Sequence, residues 1–361
     1  MQLYPVAHID LTALQHNLAC VKQFAPDSRV MSVIKANAYG HGIIEVARAL
    51  SASDAFSVAR LSEGLRLREA GIKHAIVVLE GVNTASELQL AADNEISVVF
   101  NTLLQVEIAV STTLSKALHF CWVMVETGMH RLGIQAEKLE QAIQNLNRTD
   151  NILGSIGLMS HFANADLLGD DRNQQQLDKI KQCAHQYDLA VSMANSAAIL
   201  SFPDSHADWV RPGIMLYGSS PFKAQSASSL NLKPVMKLTS TLIAIQNLQA
   251  GDEVGYGGDW VAEYATRVGI VNIGYGDGYL RQLSNTGLVM IQDKIVDVLG
   301  RVSMDMIAID LSHVLHAKVG NDVILWGCEQ LPIDDIANKA NTISYELLCQ
   351  ISERVTREYH G

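Results

Sequence analysis

Lys35 is the residue with the clearest potential for chemistry, because it follows the apolar run Val30 to Ile34. A cation at the end of a buried strand is costly unless it reaches solvent or is used, and an isolated lysine more often reaches solvent. Here Tyr39 follows with a hydroxyl, and Gly40 and Gly42 allow the backbone to approach a ligand closely. The segment is therefore typical of a strand that opens onto a ligand.

Four further polar residues each follow a β-rich run, and these are Arg131, His161, Ser196 and Arg211. Each alone has a structural explanation, such as a surface cation, a hydrogen-bonded core histidine, a helix cap or an interface salt bridge. All of them together are harder to explain in that way. A lysine amine, a helix start at Ser196 and a small-residue turn at Gly213 suit a phosphorylated aldehyde. Backbone N–H groups would hold its phosphate, and the amine would bond to its carbonyl carbon.

The elements that must position these groups alternate between short β-rich runs and amphipathic helical patterns. The β-rich runs are Val30 to Ile34, Ala55 to Ala59, Ala75 to Leu79, Ile96 to Phe100, Leu118 to Val125, Ile152 to Met159, Leu189 to Met193 and Trp209 to Val210. A helix, with Thr12 and Gln15 as a capping pair, precedes them. Repeated strand–helix units predict parallel strands, and eight units can close into a barrel with its reactive groups at one rim. We therefore predict a (β/α)8 TIM-type barrel, with an open doubly wound sheet as the alternative.

After about Pro234 the β-rich runs follow one another without long helices between them. They are Val235 to Gln246, Arg267 to Ile273, Leu288 to Ile291, Ile295 to Leu299, Ile307 to Leu311 and Asp322 to Trp326. Turn residues separate them, and a helical tail is predicted over Tyr345 to Glu353. The chain is predicted to consist of an α/β barrel over residues 1–233 and a mostly β domain over residues 234–361.

The composition excludes several classes of protein. The 361 residues are 48% hydrophobic and 18% charged, which is typical of a folded protein. The net charge of −11, without clustered Lys and Arg, argues against a nucleic-acid partner. We find neither a membrane span nor a leader pattern, so a cytoplasmic protein is expected. The five cysteines form no CxxC pair and the twelve histidines show no metal-ligand spacing, so neither disulfides nor a metal site is predicted.

Seven segments along the chain resemble, in the right order, segments of the bacterial alanine racemase family. They are VIKANAYGHG, ETGMHRLG, MSHFANAD, NSAA, WVRPGIMLYG, GDEVGYGG and LGRVSMDM. The resemblance covers nearly the whole chain, and several of the motifs are specific to that family. It implies a pyridoxal-phosphate enzyme, built from a barrel and a β domain and working as a homodimer.

The resemblance also implies two catalytic bases. Lys35 would bind the cofactor covalently and exchange the Cα proton on one face of the substrate. Tyr256 would be the base on the opposite face, reaching the site from the partner subunit. Arg211 would face the pyridine nitrogen, and His161 would lie against the ring. A guanidinium stays protonated, so it would make the cofactor ring a weaker electron sink than a protonated pyridine.

The remaining roles are implied for groups that would hold anions. Those expected to hold the cofactor phosphate are Tyr39, Ser196, Gly213, Ile214 and Tyr345. Those expected to orient the substrate carboxylate are Arg131 and the Met304 backbone.

One departure from the family pattern concerns Met124. Many family members have a lysine there, which can be carbamylated and can position the neighbouring arginine. Methionine cannot be carbamylated, so the positioning of Arg131 by an anion or by another side chain is left open.

The function that the resemblance implies is interconversion of L- and D-alanine, for peptidoglycan or for alanine catabolism. The alternatives are a broader amino-acid racemase acting on serine or other substrates, a related decarboxylase, and a pyridoxal-phosphate carrier without catalysis. The decarboxylase motifs are missing from the chain. Carriers of this fold typically lack the β domain.

Overall fold

The chain begins with a strand and a helix that precede the repeating units. The computed structural model describes residues 4–361, in which β1 (Val6–Asp10) leads into α1 (Leu11–Phe24). Asp10 caps α1, because its carboxylate accepts a hydrogen bond of 2.8 Å from the Ala13 N–H. The capping role predicted for Thr12 is therefore wrong, since the helix has already begun at that residue.

Eight parallel strands then form a closed barrel, as predicted. They are β2 (Arg29–Val33), β3 (Ala55–Val58), β4 (Ala75–Val78), β5 (Ile96–Phe100), β6 (Leu118–Met124), β7 (Ile152–Met159), β8 (Ala190–Ser192) and β9 (Trp209–Val210). The two-residue β9 pairs with Arg29 and Val30 of β2, which closes the ring and excludes the open sheet. The helical segments of this region are α2 (Lys35–Tyr39), α3 (Ile43–Ala49), α4 (Leu61–Glu69), α5 (Ala85–Asp93), α6 (Leu103–Ser111), α7 (Ala136–Asn147), α8 (Asp171–Tyr187) and α9 (Ser196–Ser201).

The interior of the barrel is filled by side chains. Its buried cluster consists of Met31, Ala55, Val77, Val99, Trp122 and Met159. The Trp122 ring meets the Trp209 ring edge-on, with 6.3 Å between the ring centroids. Gly157 makes room for it, because a Cβ there would lie 2.6 Å from the Trp122 ring. The barrel is therefore a packed core, and a ligand is expected only at its rim.

The second part of the chain is mostly β. Its strands are β10 (Met236–Leu248), β11 (Glu253–Val254), β12 (Trp260–Val261), β13 (Thr266–Val271), β14 (Leu288–Ile291), β15 (Lys294–Leu299), β16 (Ile307–Asp310) and β17 (Asp322–Trp326). Strands β10, β13, β16, β15, β14 and β17 pair in that order, and β17 returns to β10. They form a ring of antiparallel strands. Within residues 4–361, no helix is long and apolar enough to cross a membrane.

Both ends of the chain join this second sheet. After α10 (Ile333–Lys339) and α11 (Ser344–Gln350), β18 (Thr356–His360) pairs with β1, and β1 pairs with β10. The predicted tail helix is thus too long, because the chain leaves it after Gln350 to form β18. The division at residues 233 and 234 stays a prediction, to which the structure adds that β1 belongs to the second sheet. Residues 1–3 of the predicted first part lie outside the described residues.

Trp122 gives a test of the packed barrel interior. We expect Trp122→Ala to lower the free energy of unfolding by about 3–5 kcal/mol, because it removes a fully buried ring and leaves a cavity. Urea unfolding followed by circular dichroism measures this. Leu153→Ala, at a 72% exposed position on β7, is the control and should change stability by less than about 0.5 kcal/mol. Equal losses in the two variants would contradict the packing role of Trp122.

Candidate active site

Lys35 lies just after β2 and begins a turn with left-handed backbone geometry. The four residues that follow it, from Ala36 to Tyr39, have φ between 50° and 54°, and none of them is glycine. This conformation costs roughly 1–2 kcal/mol for each such residue, so the surrounding structure must hold it in place. The sequence indicated a segment that opens onto a ligand here, but it did not indicate this left-handed backbone.

Glu63 on α4 holds the beginning of this turn. Its carboxylate accepts hydrogen bonds from the Ala36 N–H at 2.7 Å, the Ala59 N–H at 2.8 Å and the Arg60 N–H at 3.1 Å. Sequence reasoning missed this residue. Its signal in the sequence is an acidic residue in the first turn of a helix, where it satisfies free backbone N–H groups, but α5 and α7 share that signal.

Arg211 follows β9 and is 4% exposed. Its Nη1 donates to the Ser192 hydroxyl at 2.7 Å, and its Nη2 donates to the Ser160 carbonyl oxygen and lies 3.3 Å from His161 Nδ1. None of the ion pairs found between residues 4 and 361 includes Arg211, so its neighbours are neutral oxygen and nitrogen atoms. Burial and the nearby Arg131 lower the pKa of Arg211 to about 9. The group therefore stays cationic near neutral pH.

His161 follows β7 and is held in its neutral form. Burial, followed by the charges of Arg211, Arg131 and Lys35, lowers the pKa of His161 to about 3. A guanidinium has only donors, so His161 Nδ1 must accept the hydrogen bond from Arg211. The proton of the neutral ring therefore lies on Nε2.

Ser196 and Gly213 form a second part of the rim. The Ser196 hydroxyl accepts hydrogen bonds from the Gly213 N–H at 2.9 Å and the Met215 N–H at 3.3 Å. The cap of α9 is Asn195, whose side chain accepts from the Ala198 N–H at 3.1 Å. Ser196 is therefore not the helix cap, and its hydroxyl instead ties the start of α9 to the Gly213 turn.

Tyr39 and Tyr345 lie beside the Gly213 turn, which leads into the 3-10 helix Ile214–Tyr217. The Tyr39 ring is 4.7 Å from the Tyr217 ring and 5.8 Å from the Tyr345 ring, measured between centroids. A Cβ on Gly213 would lie 2.7 Å from the Tyr39 hydroxyl, so only glycine fits beside it. Burial raises the pKa of both Tyr39 and Tyr345, and both hydroxyls remain available as hydrogen-bond donors.

The amine of Lys35 is activated by its surroundings. Burial, and then the positive charge of Arg131, lower the pKa of Lys35, while Glu80 and Glu63 partly oppose this shift. Arg131 itself is exposed and takes part in none of the ion pairs among residues 4–361. Met124 packs against the apolar barrel interior and offers Arg131 no anionic partner.

Tyr256 and Met304 belong to the second part of the chain and lie at its surface. Their exposed fractions are 71% and 53%. In the part of the chain that the structure describes, no hydrogen bond or ring contact joins the Tyr256 side chain to a barrel residue. The Met304 carbonyl oxygen accepts a hydrogen bond of 2.8 Å from the Gly276 N–H, which fixes its backbone. A single chain thus joins the predicted barrel residues into one site but does not bring Tyr256 into contact with them.

The closed parallel barrel carries at its rim an amine of lowered pKa, a buried cation and the Gly213 turn bound to the Ser196 hydroxyl, an arrangement typical of an enzyme's active site. The family models for the N-terminal and C-terminal domains of alanine racemase match residues 9–221 and 235–359. The chain belongs to the alanine racemase family, whose members are isomerases.

Several relatives are similar over the full length of the chain. An alanine racemase of Aeromonas hydrophila is 42% identical over 98% of this chain and 99% of its own. One from Nitrosococcus oceani is 44% identical over the same shares. Among solved structures, the biosynthetic alanine racemase of Pseudomonas aeruginosa has a TM-score of 0.94 at 40% identity, with all of both chains covered. The alanine racemase of Acinetobacter baumannii has a TM-score of 0.93 at 40% identity, covering 99% of this chain and all of its own.

Because the pKa of Lys35 is lowered, we expect its amine to react with aldehydes at a lower pH than an ordinary lysine does. Only the neutral amine reacts, so the rate of its reductive methylation should reach half its maximum below pH 10.5, the ordinary pKa. Replacing Arg131 by Gln removes a nearby positive charge and should raise this midpoint. Peptide mass spectrometry of apoprotein treated with formaldehyde and cyanoborohydride measures the rate at Lys35.

Arg148→Gln is the matched control, because it also removes an exposed arginine. Its midpoint should equal that of the unchanged protein. A Lys35 midpoint that is the same in Arg131→Gln and in Arg148→Gln would contradict the effect assigned to Arg131.

Proposed function

We propose that the protein is an alanine racemase that interconverts L- and D-alanine with pyridoxal 5'-phosphate, as a homodimer with shared active sites. The observation that carries the proposal is an amine of lowered pKa, Lys35, on the same rim as a buried guanidinium without a carboxylate partner, Arg211. A cofactor with an aldehyde, an acceptor nitrogen and a phosphate suits those groups. The aldehyde would meet Lys35, the nitrogen would meet Arg211, and the phosphate would lie at Ser196 and the Gly213 turn.

The residues of the rim fit pyridoxal phosphate. Arg211 would donate to the pyridine nitrogen, because a guanidinium has no lone pair with which to accept a proton. The neutral ring of His161 would lie against the cofactor. The phosphate would be held by the hydroxyls and backbone of Tyr39, Ser196, Gly213, Ile214 and Tyr345. When bound by Lys35, pyridoxal phosphate supplies a conjugated ring that withdraws electrons from the substrate Cα and so acidifies its proton.

Racemisation needs one group to remove the Cα proton and another to return a proton on the opposite face. Lys35 suits the first role, because its lowered pKa increases the fraction of neutral amine that can accept a proton. The Glu63 carboxylate holds the backbone directly after Lys35 through the Ala36 N–H. Tyr256 suits the second role, but in one chain it is 71% exposed. We propose that it acts in the site of a second copy.

The surface around Tyr256 supports the homodimer. Val261 and Tyr264, which follow Tyr256 closely in the sequence, are exposed, as are Tyr275, Met304 and Met306 in other loops of the second part. Exposed apolar and aromatic side chains that form a patch typically mark interaction surfaces. A second copy that covers this surface would also carry Tyr256 and the Met304 backbone to the neighbouring barrel rim.

Arg131 is proposed to bind the substrate carboxylate, with help from the Met304 backbone. Its guanidinium has no ion-pair partner among the described residues, so it is free to bind an anionic group of the substrate. The positive charges of Arg131 and Lys35 would both attract the amino acid by its carboxylate.

The proposed role of the reaction is to supply D-alanine for peptidoglycan or to allow alanine catabolism in the cytoplasm. The five cysteines are all unpaired, and Cys20, Cys121 and Cys183 are buried. This is typical of proteins that work in a reducing compartment.

Lys35→Ala and Tyr256→Phe test the two proposed bases. Lys35→Ala should lose the visible absorption of the bound cofactor and lower racemisation by about 10³-fold or more, because it removes both the covalent link and a base. Tyr256→Phe should keep the absorption. Its deuterium wash-in from D2O should fall by about 10²–10⁴-fold from one alanine enantiomer and much less from the other.

Tyr264→Phe is the control, because Tyr264 is also an exposed tyrosine of the second part, with 61% of its surface exposed. Its activity should stay near that of the unchanged protein. Turnover of alanine, serine and lysine by the unchanged protein, resolved by enantiomer, separates an alanine racemase from a broader one. Cofactor binding without any exchange at Cα would favour a carrier and overturn the proposal.

A hybrid dimer tests whether the active sites are shared. Lys35→Ala and Tyr256→Phe chains with different affinity tags are coexpressed, and dimers that carry both tags are purified. If Tyr256 acts in the partner's site, one site of the hybrid carries both changes and the other carries neither, so about half the normal activity returns. If Tyr256 acts within its own chain, both sites carry a defect and the hybrid stays inactive.

A further inference from the structure

The two ends of the chain bring three potential metal ligands together on the second sheet. His8 lies on β1, while Glu358 and His360 lie two residues apart on β18 and share one face of that strand. The parallel pairing of β1 with β18 sets His8 opposite Glu358. His8 Nδ1 is 3.4 Å from His360 Nε2 and 3.5 Å from Glu358 Oε2.

These separations match those of ligands that share one metal ion. Donor atoms at about 2.0–2.2 Å from a tetrahedral zinc ion lie about 3.3–3.6 Å from one another. Both distances from His8 Nδ1 fall in that range, and the three donor atoms all lie within 4.8 Å of one another. Only a small movement of Glu358 or His360 is needed to complete the arrangement.

Thr239 orients the His8 ring so that Nδ1 is free to bind. The Thr239 hydroxyl lies 3.5 Å from the Val6 carbonyl oxygen, which can only accept, and 3.0 Å from His8 Nε2. The hydroxyl therefore donates to Val6 and accepts from His8 Nε2–H. The proton of His8 then lies on Nε2, and the lone pair of Nδ1 points to His360 and Glu358. A hydrogen bond from the second ring nitrogen is the usual support of a histidine that binds metal.

The surroundings leave room for the ion and for a water molecule. His8 and Glu358 are half-buried and His360 is exposed, so solvent reaches the cluster. Lys237 lies opposite His8 on β10, and Asp322 on β17 adds a negative charge nearby. The single positive charge of Lys237 is thus offset by an acidic group outside the three ligands.

We propose that His8 Nδ1, His360 Nε2 and Glu358 bind a zinc ion or a similar late first-row divalent cation, with water as the fourth ligand. Two imidazoles and one carboxylate form a donor set that such ions favour. The ion would link β1 to β18. Its ligands His8 and His360 are 352 residues apart in the chain. That distance explains why no ligand spacing is visible in the sequence.

Zinc binding by the full-length protein without a polyhistidine tag tests the proposal. After treatment with a chelator, calorimetric titration with zinc chloride should give one ion per chain, and cobalt(II) should give the intense visible bands of tetrahedral coordination. Zinc should also raise the melting temperature, because it binds the folded chain. His8→Ala, His360→Ala and Glu358→Gln should each weaken zinc binding by at least about tenfold.

His313→Ala, which removes an exposed histidine elsewhere in the second part, is the matched control and should leave the affinity unchanged. Glu358→Gln keeps the size of the side chain and so guards against a loss that comes from misfolding. Equal zinc affinity in the unchanged protein and in the folded Glu358→Gln and His8→Ala variants would overturn the proposal. So would a cluster that takes up neither ion and holds only the hydrogen bond between His8 and His360.

Discussion

The chemistry of the active site depends on Arg211, whose guanidinium is buried without a carboxylate partner. Arg211 is satisfied by the Ser192 hydroxyl, by the Ser160 carbonyl oxygen and by the nitrogen of His161. Removing a charge from water is costly, and neutral acceptors compensate only part of that cost. The site therefore gains from any ligand that brings negative charge or a strong acceptor. Burial, together with the same positive charge, keeps His161 neutral, so the rim offers a cation and an uncharged ring side by side.

A strained turn after Lys35 couples this site to the second part of the chain. Gly40 ends the left-handed segment, and its carbonyl oxygen accepts a hydrogen bond of 2.6 Å from Arg357 Nε on β18. A Cβ on Gly40 would lie 2.1 Å from the Leu348 carbonyl oxygen, and one on Gly42 would lie 2.0 Å from the Tyr359 hydroxyl. Both glycines are thus needed where the C-terminal segment packs on the turn. Because the left-handed backbone is costly by itself, this packing and the Glu63 carboxylate must hold it.

The sequence predicted the barrel well because its strands and helices alternate with clear periods and each strand pairs with a near neighbour in the chain. It did not predict β1 or β18, because five-residue strands acquire their identity from partners hundreds of residues away. Lys35 and Arg211 could be found from their places after β-rich runs. Glu63 could not be chosen among many acidic residues without knowing which backbone N–H groups were unpaired. Tyr256 was indicated by resemblance alone, since an exposed tyrosine in a turn has no local signal for catalysis.

Because position 124 is a methionine, other groups must hold the loop that carries Arg131. Met124 packs into the apolar interior of the barrel, so no side chain at that position anchors Arg131 by charge. The loop is held by its own backbone instead, because the Ile134 N–H donates to the Met124 carbonyl oxygen at 2.7 Å and the Glu126 N–H donates to the Ile134 carbonyl oxygen at 3.0 Å.

The buried Glu126 carboxylate adds to this by accepting hydrogen bonds from the backbone of the same loop, including one of 2.9 Å from the His130 N–H. These hydrogen bonds hold the backbone that carries Arg131, while its guanidinium takes part in none of the ion pairs within residues 4–361. The long side chain then keeps rotamer freedom that an ion pair would remove. If Arg131 binds the substrate carboxylate as proposed, that anion must order the side chain, and the affinity for the anion is reduced by the entropic cost of this ordering.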